Sequence, residues 1–291
     1  MPSDLLSFLK WYLAITAAGL LALPLAFRFF RHLPDRGYTF ARPLGLLTVC
    51  YAFWLLGSLG FLRNDVGGLL FAALLVGGLG LWWLGRAGWD ALRAWLREQR
   101  AFVLGVEAVF LLAFAGLAWV RAYNPEIVGT EKPMEYMFIN SILRSPTFPP
   151  HDAWLSEHAI SYYYFGYVMV ASLARLTGTV TSVAFNLGLA LLFALTAVGS
   201  FGVVLNLIGL VRLEESKQKA ERSRQTAFRL LSSAFWPALL GPLLVLVAGN
   251  FYGIVKIAHA NGMFANLQVP AVRYDFGVEG AQAPGIRAGR V

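Results

Sequence analysis

The groups best suited to chemistry lie in one stretch, residues 129 to 178, GTEKPMEYMFINSILRSPTFPPHDAWLSEHAISYYYFGYVMVASLARLTG, which gathers carboxylates, prolines and three consecutive tyrosines. A helix starting after Thr130, read as its N-cap, tolerates Pro133 in its first turn. Helical spacing then sets Glu131 and Glu135 one turn apart on one face. The rest of that helix, Met134, Tyr136, Met137, Phe138, Ile139, Ile142 and Leu143, is apolar on nearly every side, which predicts a buried element. Two carboxylates at the head of a buried helix are costly unless they share a cation, a proton or a basic partner. The competing reading is a solvated pair favoured by the positive end of the helix dipole. Pro146, Pro149 and Pro150 predict an extended segment that delivers Asp152 to the start of the next helix, as its N-cap or as a second acidic site group. His151 and His158 flank Asp152, but the sequence offers no recognised metal-ligand spacing there. Tyr162, Tyr163 and Tyr164 either hold a lipid headgroup or sugar by stacking and hydroxyl hydrogen bonds, or form an aromatic belt at a membrane interface.

The elements that must position these groups are membrane helices. With 58% hydrophobic and only 14% charged residues, the chain has too little polar surface to cover a soluble globule. Its net charge of +8 is distributed in short clusters between apolar runs and not along an aromatic-interleaved face, so nucleic acid is not an expected partner. Cys50, the single cysteine, excludes an intrachain disulfide and a cysteine metal site. The first apolar run ends in PLAFRFFRH without a small-residue cleavage site and reads as a retained span.

Runs of about 20 apolar residues, enough to cross about 30 Å of hydrocarbon, fall at 5–27, 44–62, 67–85, 102–120, 180–211 and 235–255. The first connection holds Arg28, Arg31, Arg36 and Arg42, and the third Arg86, Arg93, Arg97 and Arg100. The connection after the fifth run holds Arg212, Lys217, Lys219, Arg222, Arg224 and Arg229. Placing all three in the cytoplasm leaves 121–179 outside. Tyr162–Leu176 must then lie along, or dip into, the outer face, because a seventh crossing would force the last basic connection outside.

The expectation is an all-α polytopic bundle in the cell membrane, with six spans, interfacial helices in one large outside loop, and both termini outside. Residues 1–100 form a three-span region and 101–255 a core carrying the loop 121–179. The polar Gly/Pro-rich tail 256–291 is expected to be disordered.

Pro24, Pro237 and Pro242 are candidate kinks, and the glycines of GGLLFAALLVGGLGLWWLG are close-packing positions. Glu107 is the one carboxylate inside a predicted span, near the cytoplasmic end, with Arg100 as a possible partner. Asn186, Asn206 and Asn250 are expected to bond between helices. No Walker loop, HExxH or G-x-S-x-G element is present.

The motifs GTEKPMEYMFINSI, PPHDAW and ISYYYFGY, with the opening PLAFRFFRHLPDRGYTFARPLG, resemble the Tyr-Tyr-Tyr (YYY) domain family of bacterial and archaeal membrane proteins, over almost the whole chain up to GNFYG at 249–253. Members of that family are usually longer, so the resemblance implies that this chain is the N-terminal part, with a further motif-bearing C-terminal half as its missing partner. The family pattern has Asp at Glu135, Pro at His151 and Ala153, Asn at Ser161 and His at Tyr167. The family is itself similar to polytopic glycosyltransferases that use polyprenyl-phosphate sugars. That similarity implies Glu135 as general base toward an acceptor hydroxyl, or as a ligand, with Asp152, of a divalent cation such as Mg or Mn. Glu131 and Asp152 would support it, Tyr162, Tyr163 and Tyr164 would line a lipid-sugar entrance, and Lys132 and His151 would join the binding set. The other readings are a transporter or flippase-like protein, and an inactive membrane scaffold.

Overall fold

The computed structural model describes residues 2–155, 157–218 and 225–250. Among them every regular element is helical, and one isolated antiparallel bridge joins His151 to Ala159. Residues 1–249 form one compact unit. The chain is thus the all-α membrane bundle its composition predicts. Five helices are long and apolar enough to cross a bilayer: α1 (Pro2–Phe29), α2 (Ala41–Ser58), α3 (Val66–Glu98), α4 (Arg100–Tyr123) and α7 (Thr181–Gln218). Between α4 and α7 stand two short helices, α5 (Lys132–Arg144) and α6 (Phe165–Thr177). The predicted sixth span, 235–255, begins in α8 (Gln225–Ala238) and continues through helical turns to Asn250. Its described apolar part, Leu231–Val247, is shorter than the five others, and its end, the side chain of Asn250 and the tail 256–291 lie outside the described residues.

Helix ends follow local chemistry. Asp65 caps α3, its Oδ1 accepting from Gly68 N at 2.8 Å. Gly178, at φ 65°, closes α6 by donating its N–H to Ala174 O. Gly85, at φ 69° and ψ 175°, breaks α3 at the end of the predicted span. The third basic connection is therefore not a loop. Leu92 is buried against Phe27 and Ala41, with Trp89, Trp95 and Leu96 beside it, while Arg86, Arg93 and Arg97 stay exposed. The apolar spacing of three and four residues explains why the chain keeps its helix there.

The first connection also differs from a simple basic loop. Asp35 is fully buried and accepts from Gly37 N, Thr39 N and Thr39 Oγ1, while its own N–H reaches Asn206 Oδ1 of α7 at 3.2 Å. Arg42, read from the sequence as part of this loop, lies in α2 and is 7% exposed. Close packing at glycine brings α2 onto α1, where a Cβ on Gly45 would stand 2.1 Å from Ala18 O. In the glycine-rich run of α3, Gly77 and Gly80 pack on Leu21 and Leu25, whereas Gly78 faces open space.

With 13 residues, α6 reaches about 20 Å and cannot cross the hydrocarbon. It does not rest on the surface either. Val168 and Ala171 are buried, and α6 touches α1, α2, α3, α5 and α7. Lys10 Nζ donates to Thr177 O and Trp11 Nε1 to Thr179 Oγ1, so the α6–α7 turn is fastened to the first half of α1. The helix is embedded among its neighbours and does not lie on the outside of the bundle.

Candidate functional site

The site is built where α5 meets the start of α6. Pro133 occupies the first turn of α5 as expected, but the N-cap position is Glu131, with no side-chain cap, and Thr130 precedes it at φ 48°. Glu135 N donates to Glu131 O at 3.0 Å, which keeps the two acids one turn apart. The far half of α5 is buried at Phe138, Ile139, Ser141 and Ile142, whereas Glu131 is exposed and Glu135 half-buried. The expectation of a wholly buried helix therefore holds only beyond its first turn and a half.

The buried end of α5 is held by two side chains that carried no signal in the sequence. Asn64 Nδ2 donates to Ile142 O and Ser145 O, both at 2.7 Å, and Arg175 Nη2 donates to Ile142 O and Leu143 O at 3.3 and 3.1 Å. A cation and an amide on the free carbonyls complement the negative end of the helix. They fix the axis along which Glu135 is presented.

At the other end, Tyr167 OH donates to Glu135 Oε1 at 3.2 Å. The Phe138 ring packs between Tyr162 and Tyr167, at centroid distances of 5.6 and 5.4 Å. Tyr162 OH donates to Tyr163 OH at 2.6 Å, and the two rings overlap with centroids 3.9 Å apart. That hydrogen bond pushes the Tyr162 hydroxyl up to about 12, with the nearby charges of Glu131 and Glu135 adding to the effect. Burial, reinforced by the charge and hydrogen bond of Glu135, raises Tyr167 as well. Tyr163 remains 71% exposed. The result is an exposed Glu131 and a half-buried Glu135 bordered by phenol hydroxyls and tilted aromatic rings.

Not every sequence-nominated residue joins this group. Tyr164 turns toward the bundle and accepts from Trp54 Nε1 at 3.0 Å. Lys132 is half-buried in the first turn of α5. Asp152 caps no helix, because α6 starts only at Phe165. Its Oδ1 accepts from Trp154 N and Leu155 N at 2.8 and 3.0 Å, closing a local turn whose base is the His151–Ala159 bridge. His151 N donates to Ser145 Oγ, tying the same turn to the end of α5. Among the described residues no group of three or more His, Cys, Asp or Glu side chains is placed to hold a metal ion. Tyr167, present in the sequence as a fourth tyrosine, is the residue that the sequence reading did not place beside Glu135. Spacing gave no signal for it, because Tyr164, three residues earlier, faces Trp54 instead.

A second polar group lies inside the bundle. Glu107 pairs with Arg42, not Arg100: Glu107 Oε1 accepts from Arg42 Nη1 at 2.8 Å and from Tyr38 OH at 2.8 Å, and Oε2 accepts from Arg42 Nη2. Arg42 Nη2 also reaches Thr16 Oγ1, and the guanidinium stacks 4.3 Å over Phe110. Asn186 bonds between helices as expected, accepting from Arg121 Nε of α4 and donating to Pro125 O, whereas Asn206 accepts from Asp35 N of the first connection and donates to Gly202 O within α7.

Apolar helices of spanning length, exposed aliphatic side chains on their outer faces and polar groups sequestered between them define a multi-pass integral membrane protein. The chain belongs to the uncharacterized membrane protein family DUF2298, whose sequence model matches residues 48–272. No curated protein and no solved structure matches the chain.

Proposed function

We propose that this protein is part of a membrane glycosyltransferase working on the outer face with a sugar linked to a lipid phosphate. The observation that carries the reading is the Glu135–Tyr167 hydrogen bond set beside the paired Tyr162 and Tyr163 rings. A half-exposed carboxylate held by one phenol can accept a proton from an incoming hydroxyl. Exposed aromatic faces give a sugar ring apolar contact while their hydroxyls offer hydrogen bonds. Glu131 adds negative charge that favours proton uptake at the site, and Lys132 supplies a cation for a donor phosphate. Asp152 and His151 serve instead to shape the loop that borders the site. A divalent cation on Glu135 or Asp152, holding the donor phosphate, belongs to the same reading.

In this reading the basic end of the bundle, with Arg28, Arg31, Arg86, Arg93 and Arg97, is cytoplasmic, and the tyrosine-bearing end faces out. The transporter alternative draws less support, because the intramembrane ionisable pair is already mutually satisfied. Glu135→Gln removes the base and keeps the size of the side chain. Sugar transfer from a polyprenyl-phosphate donor should be lost in membranes that hold the full-length protein at parental levels; transfer at the parental rate would reject the role.

A further inference from the structure

Past Gly85, whose φ of 69° and ψ of 175° break α3, the chain runs on as a separate amphipathic helix to Glu98. Trp89, Leu92, Trp95 and Leu96 form its packed face at helical spacing. Arg86, Arg93 and Arg97, seven and four residues apart, fall on the other side in one exposed stripe with Asp90. Leu84 before the break and Leu92 after it share one buried cluster with Phe27 and Ala41. Trp95 stands edge-on to Phe27 at 6.1 Å and to Phe102 of α4 at 6.3 Å. The segment thus lies across the end of α1, from α3 to α4, and does not run on past it.

The exposed side chains along α3 mark where the bilayer ends. Leu74, Leu79 and Leu81 come first, then Trp82 at 80% exposure and Trp83, then the break and the arginines. That succession, aliphatic to tryptophan to cation, is the order of hydrocarbon, interface and headgroup. Length agrees, because Val66 to Leu84 rises about 28 Å, close to the hydrocarbon thickness. Arg28 joins from the end of α1, its guanidinium 5.9 Å from the centre of the Trp83 ring. None of Arg28, Arg86, Arg93 and Arg97 is ion-paired among the described residues.

We propose that this crossing helix is a docking surface for anionic phospholipids of the adjoining leaflet, whose phosphates are taken by Arg28, Arg86, Arg93 and Arg97. Charge selects the headgroup. Four guanidinium groups against Asp90 and Glu98 leave a positive excess that a net-negative headgroup answers, whereas a zwitterionic lipid brings an ammonium that the same surface repels. The planar fork of each arginine suits a phosphate better than a point charge would. Placement selects the membrane, since a surface held at headgroup level meets lipid phosphates before any soluble anion.

The surface is separate from the acidic pair on α5 and does not rest on the proposed transferase activity. Native mass spectrometry of the detergent-solubilised chain, titrated with phosphatidylglycerol or with phosphatidylcholine of the same acyl chains, reads the binding. The parent should hold phosphatidylglycerol more tightly. Arg86→Gln, Arg93→Gln and Arg97→Gln together alter only exposed side chains. They should weaken phosphatidylglycerol binding about five- to thirtyfold, the loss of one to two arginine contacts, and leave phosphatidylcholine binding as it was. Arg63→Gln with Arg144→Gln, exposed arginines outside this surface, should change neither. Equal affinity of the parent for the two lipids overturns the proposal, as does an equal loss from the Arg63 and Arg144 changes, which would make net charge the whole cause. Displacement of the lipid by free glycerol phosphate overturns it too, by making this a site for a soluble anion.

Discussion

Removing Glu107 tests the internal polar group most directly. The carboxylate accepts two hydrogen bonds from Arg42 and one from Tyr38, with 24% of its own side chain exposed and 8% of the side chain of Arg42. Glu107→Ala leaves a guanidinium buried over Phe110 with Thr16 as its remaining hydrogen-bond partner. Stripping one partner from a buried pair costs about 3–5 kcal/mol, because the survivor cannot recover its hydration. The position inside a span works in the same direction. Replacing both charges by apolar residues avoids the orphaned ion, so Arg42→Met with Glu107→Leu should recover at least half of the loss. Tyr38→Phe, added to the double change, removes the hydroxyl that loses Glu107 as its acceptor. Equilibrium unfolding in mixed dodecylmaltoside and SDS micelles reads the four stabilities. A Glu107→Ala protein within about 1 kcal/mol of the parent, or a double variant no more stable than Glu107→Ala, would show that water or lipid reaches Arg42 and that the pair is not a buried ion pair in the sense argued above.

Two further changes test the packing and the tyrosine pair. Gly45→Ala should abolish the monodisperse peak of the detergent-solubilised protein on gel filtration, since its Cβ would stand 2.1 Å from the backbone oxygen of Ala18 and no rotamer can relieve that. Gly78→Ala, with no atom within 4 Å of the added carbon, should run like the parent. Tyr163→Phe should bring the Tyr162 hydroxyl down from about 12 toward an ordinary tyrosine, because the bond from Tyr162 to Tyr163 favours the protonated phenol and is the largest cause of the shift. The tyrosinate absorbance difference between variant and parent follows this directly, and an unshifted titration would mean that the pair does not form in solution.

What the sequence made legible was set by periodicity and composition, and what it hid was set by partners distant along the chain. Apolar length located α1, α2, α3, α4 and α7, and the end of the predicted third span coincides with the break at Gly85. The same reasoning placed Arg42 in a loop, because a run of arginines after an apolar stretch reads as solvated. Only the depth at which Asp35, Thr39 and Asn206 hold the connection shows that α2 begins inside the bundle. Glu107 was recognisable as an intramembrane acid, but Arg100 was the basic residue closest in sequence, and the actual partner is 65 residues away. In the candidate site, helical spacing gave the Glu131–Glu135 pair directly. The tyrosine triplet could not be divided by spacing, since its members precede α6 and so obey no helical register. Tyr162 and Tyr163 stack on each other toward α5, while Tyr164 turns to Trp54.

The short helices explain how an acidic pair and a membrane bundle are reconciled. A spanning segment at α6 would have sent α7 in from the opposite end and separated Arg212 from the other basic connections. Because α6 is short and ends beside the first half of α1, α7 starts at the end where α4 finished, with Asn186 bonded to Arg121 and Pro125, and its far half meets the first connection where Asn206 accepts from Asp35. The embedding of α6 is also what presents the site. Val168 and Ala171 anchor one face of the helix in the core shared by α2, α3 and α5, and Arg175 fixes the far end of α5 from the same helix. Tyr167, one residue before that buried face, is thereby held against Glu135 from below while the head of α5 stays open to solvent. An acid placed on a loop would have had solvent for its orientation; Glu135 is oriented instead by the anchored far half of α5 and by Tyr167 of α6 and stays half-exposed, as the proposed role in proton transfer requires.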